Sequence, residues 1–129
     1  MKRLEINGQL AEGVILERGL APAWVDDMPP APKVEREISS RERCIMERLD
    51  SIVRENLMVR QAYPGLQLKQ FQLYEGMPEL IYLAYTCGDE RVVASCEVVL
   101  ERESRVELLE AGHLSVSIGS GGLEGCPKH

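Results

Sequence analysis

The residues best suited to chemistry in this chain are its four cysteines, of which Cys87 and Cys96 lie closest together in the sequence. Two neighbouring thiols could form a disulfide or hold a metal ion. Between them, Gly88-Asp89 separates two apolar runs and predicts a two-residue hairpin turn. Cys96 would then lie about 20 Å along the sheet from Cys87, too far for a shared bond or metal. We therefore expect Cys96 to be a small core residue. The predicted register pairs Cys87 with Glu90, Tyr85 with Val92, Leu83 with Ala94 and Ile81 with Cys96.

The other two cysteines have no partner nearby in the sequence. Cys44 lies beside the apolar stripe of a predicted helix, where we expect it to pack, and Cys126 lies in a glycine-rich segment, where we expect an exposed thiol. All four cysteines are expected to be free thiols, as in a reducing compartment. The chain lacks C-x-x-C and H-E-x-x-H patterns, so we predict neither a metal nor another cofactor.

Two further sets of residues could carry acid–base chemistry. Asp26-Asp27 could bind a cation, but adjacent side chains point in different directions, and capping or exposure to solvent is favoured. His113 could be a general base beside Ser115, but it would need an orienting acid, either Glu97 or Glu101. No catalytic residue is predicted from either set.

The composition excludes several classes of function. The chain has 15 basic and 21 acidic residues, for a net charge of −6. Nucleic-acid binding is not expected, because it needs clustered Lys and Arg. No apolar window is long enough for a membrane span, and Glu5 and Asn7 interrupt the N-terminal region where a signal peptide would be apolar. We predict a cytoplasmic protein that does not bind membranes.

A long helix is predicted at about 40–61. Ser39 and Glu42 form a capping box at its start, and Pro64-Gly65 follows its end. Apolar residues recur at intervals of three and four, which indicates one buried face. These residues are Ile45, Leu49, Ile52, Val53 and Leu57.

An antiparallel meander is predicted over residues 66–118. The segment 80–87 would be apolar on both faces of a strand, as in a strand that is covered on both sides. In 92–101 and 114–118, apolar and polar residues alternate. Ser104 and Glu107 form a second possible capping box, so 105–111 is either a short helix or a further strand.

The N-terminal region allows two interpretations. Asn7-Gly8 could be the turn of a hairpin, or Asn7 could cap a helix from about Gly8 to Arg18. The helix is favoured. Residues 21–33 form a proline-rich connector in which Trp24 would anchor the chain or line a pocket.

Together these elements predict an α+β fold, with the long helix and a shorter N-terminal element packed on an antiparallel sheet of four or five strands. Residues 1–118 would form one domain and 119–129 a flexible glycine-rich tail. The arrangement resembles small α+β adaptor, chaperone and immunity proteins at the level of the fold alone.

Two functions are consistent with this fold. The favoured one is a non-enzymatic protein-binding module, such as a regulator, chaperone or inhibitor, that forms a homodimer. A second subunit could cover the outer face of the apolar strand 80–87. The alternative is a small-molecule-binding protein, or a minor enzyme, with an aromatic pocket between helix and sheet. The candidate binding residues are Trp24, Phe71, Tyr82 and Tyr85.

Overall fold

The computed structural model describes residues 2–17, 34–76, 79–100, 103–110, 114–123 and 125–128. It contains two helices and seven strands in the order ββααβββββ. The predictions for the connector 21–33 with Trp24, for Asp26-Asp27 and for His113 lie outside the described residues. The helices are α1 (Ser40–Glu55) and α2 (Leu57–Ala62). The strands are β1 (Lys2–Ile6), β2 (Gln9–Leu16), β3 (Gln67–Tyr74), β4 (Leu80–Cys87), β5 (Glu90–Leu100), β6 (Glu103–Glu110) and β7 (Leu114–Gly122).

All seven strands form one sheet in sequence order. Five of the six pairings are antiparallel, and β2 and β3 are parallel neighbours. Parallel strands need a crossover connection, and α1 and α2 lie between them in the chain. The α+β class and the mostly antiparallel sheet are confirmed, whereas the predicted number of strands is too small.

The N-terminal element is a hairpin, so the favoured helix from Gly8 to Arg18 is wrong. Asn7 and Gly8 have φ angles of 49° and 83°, the left-handed pair that a type I′ turn requires. Ala11, Val14 and Leu16 are all buried because β2 is an inner strand of the sheet.

The predicted single helix at 40–61 is two shorter helices. Its start is confirmed, since the Ser39 side chain and Glu42 form both hydrogen bonds of the capping box. Its continuity is wrong, because Asn56 is extended (ψ 122°) and separates α1 from α2, which ends at Ala62, one residue beyond the predicted end. The Asn56 side chain accepts a hydrogen bond from the Val59 N–H and caps α2.

The predicted register of the β4–β5 hairpin is confirmed at all four pairs, including Ile81 opposite Cys96. Residues 105–110 are part of strand β6, so Ser104 and Glu107 do not form a helix cap. Strand β7 continues to Gly122, beyond the predicted start of the tail, and Leu123 after it is buried.

The main core lies between the sheet and the helices. Helix α1 contributes Ile45, Met46, Leu49 and Val53, and α2 contributes Val59. The opposite face of the sheet, which we call the second face, has two smaller clusters and lies away from α1 and α2. Its buried residues are Val14, Leu16, Gln72, Tyr74, Ala84 and Val93.

A disulfide joins Cys44 of α1 to Cys126, with the Cα atoms 5.7 Å apart. The prediction of four free thiols is therefore wrong for this pair, while Cys87 and Cys96 are free, as the hairpin register requires. Arg41 of α1 also donates a hydrogen bond to the Pro127 carbonyl. These contacts hold residues 125–128 against α1 instead of leaving a loose tail.

Candidate functional site

The buried polar centre of the protein is the carboxylate of Asp50, which has no exposed surface. The Tyr85 hydroxyl donates to it at 2.6 Å, the Arg54 Nε at 3.1 Å and the Asn7 Nδ2 at 3.0 Å. Burial is favourable for a charged carboxylate only when its oxygens are paired in this way. We call these four residues, together with Gln9, the Asp50 cluster.

Arg54 is the link between this cluster and the protein surface. Its Nη2 donates to Gln9 Oε1 at 2.6 Å, and its Nη1 donates to the Leu66 carbonyl at 3.1 Å. The guanidinium carbon lies 5.6 Å from the centre of the Tyr85 ring, within cation–π distance. These contacts hold Arg54 in one position between α1, β2 and the start of β3.

Burial dominates the electrostatics of Tyr85. Desolvation, followed by the charge of Asp50, raises the pKa of the Tyr85 hydroxyl well above its ordinary value. The hydroxyl therefore remains protonated and donates to Asp50 at neutral pH. Because the polar atoms of Asp50 and Tyr85 are paired with each other and with protein groups of α1 and the β1–β2 turn, the Asp50 cluster joins α1 to the sheet.

Next to this cluster, a cavity of about 350 Å³ opens at the turn between α2 and β3. Arg54 forms its inner wall, and Arg60 and Tyr63 form other walls. The remaining lining residues are Val59, Pro64, Gly65 and Leu66. The cavity thus combines apolar walls with two guanidinium groups.

Helix α2 carries two large apolar side chains out of the core beside this cavity. Leu57 is 69% exposed and Met58 is 62% exposed. The sequence pattern placed Leu57 on the buried stripe, but the extended backbone at Asn56 turns α2 so that Val59 is the buried residue instead. We call Leu57, Met58 and Arg60, with the adjoining cavity, the α2 surface.

The three predicted binding residues that the structure describes, Phe71, Tyr82 and Tyr85, do not come together in one pocket. Phe71 and Tyr85 are fully buried in the main core, and Tyr82 lies on the second face, where its ring meets Tyr74 at 5.3 Å between centroids. Burial, followed by the charges of Glu107 and Glu97, raises the pKa of Tyr82. The ring of Phe71 also packs directly over Gly13 of β2, which is a structural role.

The sequence pattern does not predict the α2 surface, because the apolar residues keep a helical spacing across the break at Asn56. The one available signal was Asn56 itself, a residue type that favours helix caps over helix interiors. Pro64-Gly65 predicts the end of a helix, and the two residues also line the cavity.

In the described part of the chain, no three His, Cys, Asp or Glu residues are grouped so that they could hold a metal ion. No described helix is long and apolar enough to cross a membrane. The chain matches no protein-family model, and comparisons with curated proteins and with solved structures found no significant match.

Proposed function

We propose that this chain is a non-enzymatic protein-binding module that binds a segment of its partner at the α2 surface. The observation that carries this proposal is the exposure of Leu57 and Met58 side by side on a six-residue helix. Single exposed apolar residues are common on protein surfaces. Two adjacent ones beside a cavity form a surface that a partner could cover.

The energetics favour a short segment of the partner as the ligand. Full burial of a Leu or Met side chain contributes about 1.5–3 kcal/mol, so these two residues could act as the centre of a small interface. The cavity has room for one or two side chains of the segment. Helix α2 is attached to the core through Val59, and its other residues are exposed.

Catalysis is not part of the proposal. Asp50 and Tyr85 are the groups whose environment is most unusual, and both are buried with protein partners on their polar atoms. A substrate could reach neither without opening the core.

A displayed library of random peptides tests the proposal. We expect peptides selected on the native protein to lose most of their affinity for a Leu57→Ser, Met58→Ser double variant. Leu10→Ser is the matched control, because Leu10 is 64% exposed on β2 and lies outside the α2 surface. Selected peptides that bind the double variant as well as the native protein, or a library from which no peptide is enriched, would contradict the proposal.

The alternative is a small molecule in the same cavity, whose volume lies within the range of ligand pockets. The aromatic wall would then be Tyr63, and Trp24, Phe71, Tyr82 and Tyr85 would not be needed. A thermal-shift screen with metabolites separates the two functions. A metabolite that raises the unfolding midpoint of the native protein, and not that of a variant without the aromatic wall (Tyr63→Ala), would favour the small molecule.

The homodimer and the cytoplasmic location stay predictions. On the second face, six described residues are buried within the chain, whereas Leu80 and Tyr82 are partly exposed and could meet a second subunit. The Cys44–Cys126 disulfide favours an oxidising compartment, because cytosolic thiols are normally kept reduced. Light scattering after size exclusion measures the oligomeric state directly.

A further inference from the structure

We infer that the α2 surface recognises an acidic residue of the partner, whose carboxylate binds Arg60 while a neighbouring apolar side chain covers Leu57 and Met58. This inference rests on the proposed protein-binding function and names the chemistry of the partner. It is carried by the distribution of charge along the chain and by the different environments of two arginines.

The first observation is a local reversal of charge. The chain has 21 acidic residues, yet positions 56–74 contain neither Asp nor Glu. Arg60 and Lys69 are the charged residues of this stretch, and Glu55 and Glu75 border it. An acidic residue of the partner would meet no negative charge within this stretch, and exposed charges act over only about 10 Å at ordinary ionic strength.

The second observation is the environment of Arg60. Arg36, Arg41, Arg43 and Arg54 each form an ion pair with an Asp or Glu of the chain. The guanidinium of Arg60 is exposed, lines the cavity and has no hydrogen-bond or ion-pair partner among the described residues. Its donors are therefore available to a ligand.

Arg54, the other guanidinium of the cavity, has a different role. Asp50 balances its charge, and the Leu66 carbonyl and Gln9 engage its two terminal nitrogens. Arg54 is therefore a fixed part of the cavity wall, and Arg60 supplies the positive charge that a ligand can bind. A guanidinium can bind a carboxylate through two parallel hydrogen bonds, which a lysine ammonium cannot reproduce.

The test uses the peptides selected on the native protein. We expect them to contain Asp or Glu next to an apolar residue, and we expect replacing that acid by its amide to weaken binding about tenfold. Arg60→Gln should weaken binding to a similar degree and should also remove most of the decrease in affinity between 50 and 300 mM NaCl. Arg60→Lys should recover only part of the affinity. Arg43→Gln is the matched control, since it removes one exposed positive charge from α1.

The outcomes separate this inference from the proposed function. If the Leu57→Ser, Met58→Ser variant loses affinity but Arg60→Gln does not, protein binding stands and acid recognition is wrong. If neither variant loses affinity, both are wrong. Selected peptides without acidic residues would overturn the inference by themselves. Because the Arg60 side chain is exposed and has no hydrogen-bond or ion-pair partner among the described residues, the unfolding midpoint of Arg60→Gln should match that of the native protein.

Discussion

The hydroxyl of Tyr85, near the C-terminal end of strand β4, donates a 2.6 Å hydrogen bond to the carboxylate of Asp50 on helix α1. This bond joins the helix to the sheet inside the main core, and Arg54 and Asn7 complete the carboxylate's set of partners. The core of this protein therefore contains a charged group that is stable only while its partners stay in place.

Removing the Tyr85 hydroxyl should destabilise the fold. We expect Tyr85→Phe to lower the free energy of unfolding by about 1.5–3 kcal/mol, the usual range for a hydrogen bond to a charged group. Tyr74→Phe is the control, since the Tyr74 hydroxyl donates to the neutral Gln72 amide oxygen, and we expect a loss of about 1 kcal/mol. Urea unfolding at pH 7 measures both. Equal losses would mean that the charge of Asp50 does not strengthen the bond.

The same hydroxyl should make stability fall at alkaline pH. Because the pKa of Tyr85 is raised above its ordinary value of 10.0, the unfolded chain loses this proton first, and stability decreases as the pH rises above 10. Burial also raises the pKa of Cys96 to about 11, so its contribution decreases from pH 9 upward. The decrease in the urea midpoint between pH 9 and 11 should be smaller in Tyr85→Phe. An identical decrease in the native protein and in Tyr85→Phe would contradict a Tyr85 hydroxyl that is buried and protonated.

A side chain at Gly13 should be tolerated poorly. A methyl group there would collide with the ring and the backbone carbonyl of Phe71, which lies opposite it on the parallel neighbour β3. We expect Gly13→Ala to lower the free energy of unfolding by about 1–3 kcal/mol or more, as overpacked cores do. The double variant with Phe71→Leu should recover only part of this loss, because the carbonyl remains.

Gly65→Ala is the matched control for Gly13→Ala. Gly65 has a φ of 81° but nothing within 4 Å of an added methyl group. Its loss, about 1–2 kcal/mol, would come from the left-handed backbone alone. A Gly13→Ala variant as stable as the native protein would mean that β2 and β3 are not in the described register.

Acid should weaken the start of helix α1. Burial raises the pKa of Glu42, but hydrogen bonds from Arg36 and from the Ser39 backbone outweigh it, and the pKa lies below its ordinary value of 4.5. The unfolded chain then binds this proton first, so the contribution of Glu42 is present above pH 4.5 and is lost as the pH falls through the folded pKa. Glu42→Gln should reduce the difference in urea midpoint between pH 6 and pH 3. Urea unfolding at both pH values measures the effect, and a difference as large in Glu42→Gln as in the native protein would contradict it.

The disulfide should be visible as a thiol count. Thiol titration of the denatured protein should give two free groups before reduction and four after it, because Cys44 and Cys126 are bonded. Reduction should lower the free energy of unfolding by about 2–4 kcal/mol, since it releases a long loop of the unfolded chain. The Cys44→Ser, Cys126→Ser double variant should show the lower stability without reductant. Four free thiols before reduction would contradict the bond.

In the native protein, the two free thiols should react at different rates. Cys87 is half-buried and contacts the Pro64 carbonyl, whereas Cys96 is 2% exposed. We expect a thiol reagent to label Cys87 first, and Cys96 only on unfolding, because access limits the reaction. Fast labelling of Cys96 in the native protein would mean that its side chain lies on an exposed face of β5 and not in the core.

Local patterns in the sequence were sufficient for the parts of the fold that local contacts determine. The turn at Gly88-Asp89 and the alternation around it predicted the β4–β5 register, because a shift by one residue would expose every apolar side chain. The capping box at Ser39 likewise predicted the start of α1. Both depend on residues that are close in the sequence.

The features that were missed depend on residues far apart in the sequence. Asn7-Gly8 suits a hairpin or a helix start, and the place of β2 beside β3 decides between them. The Cys44–Cys126 bond depends on the path of the chain after β7. The α2 surface depends on a single extended residue, Asn56, which leaves the periodicity of the apolar residues intact.

The one parallel pairing in the sheet has a consequence for how the chain folds. Strands β1 and β2, and likewise strands β3 to β7, each pair with a strand that is next to them in the sequence. The pairing of β2 with β3, for example Glu12 with Gln70, instead joins residues that are separated in the sequence by both helices. Non-local pairings of this kind slow folding, so we expect this junction to form last. Until it does, β2 and β3 both expose unpaired backbone groups between apolar side chains, and these inner strands are then the part of the nascent protein most exposed to aggregation.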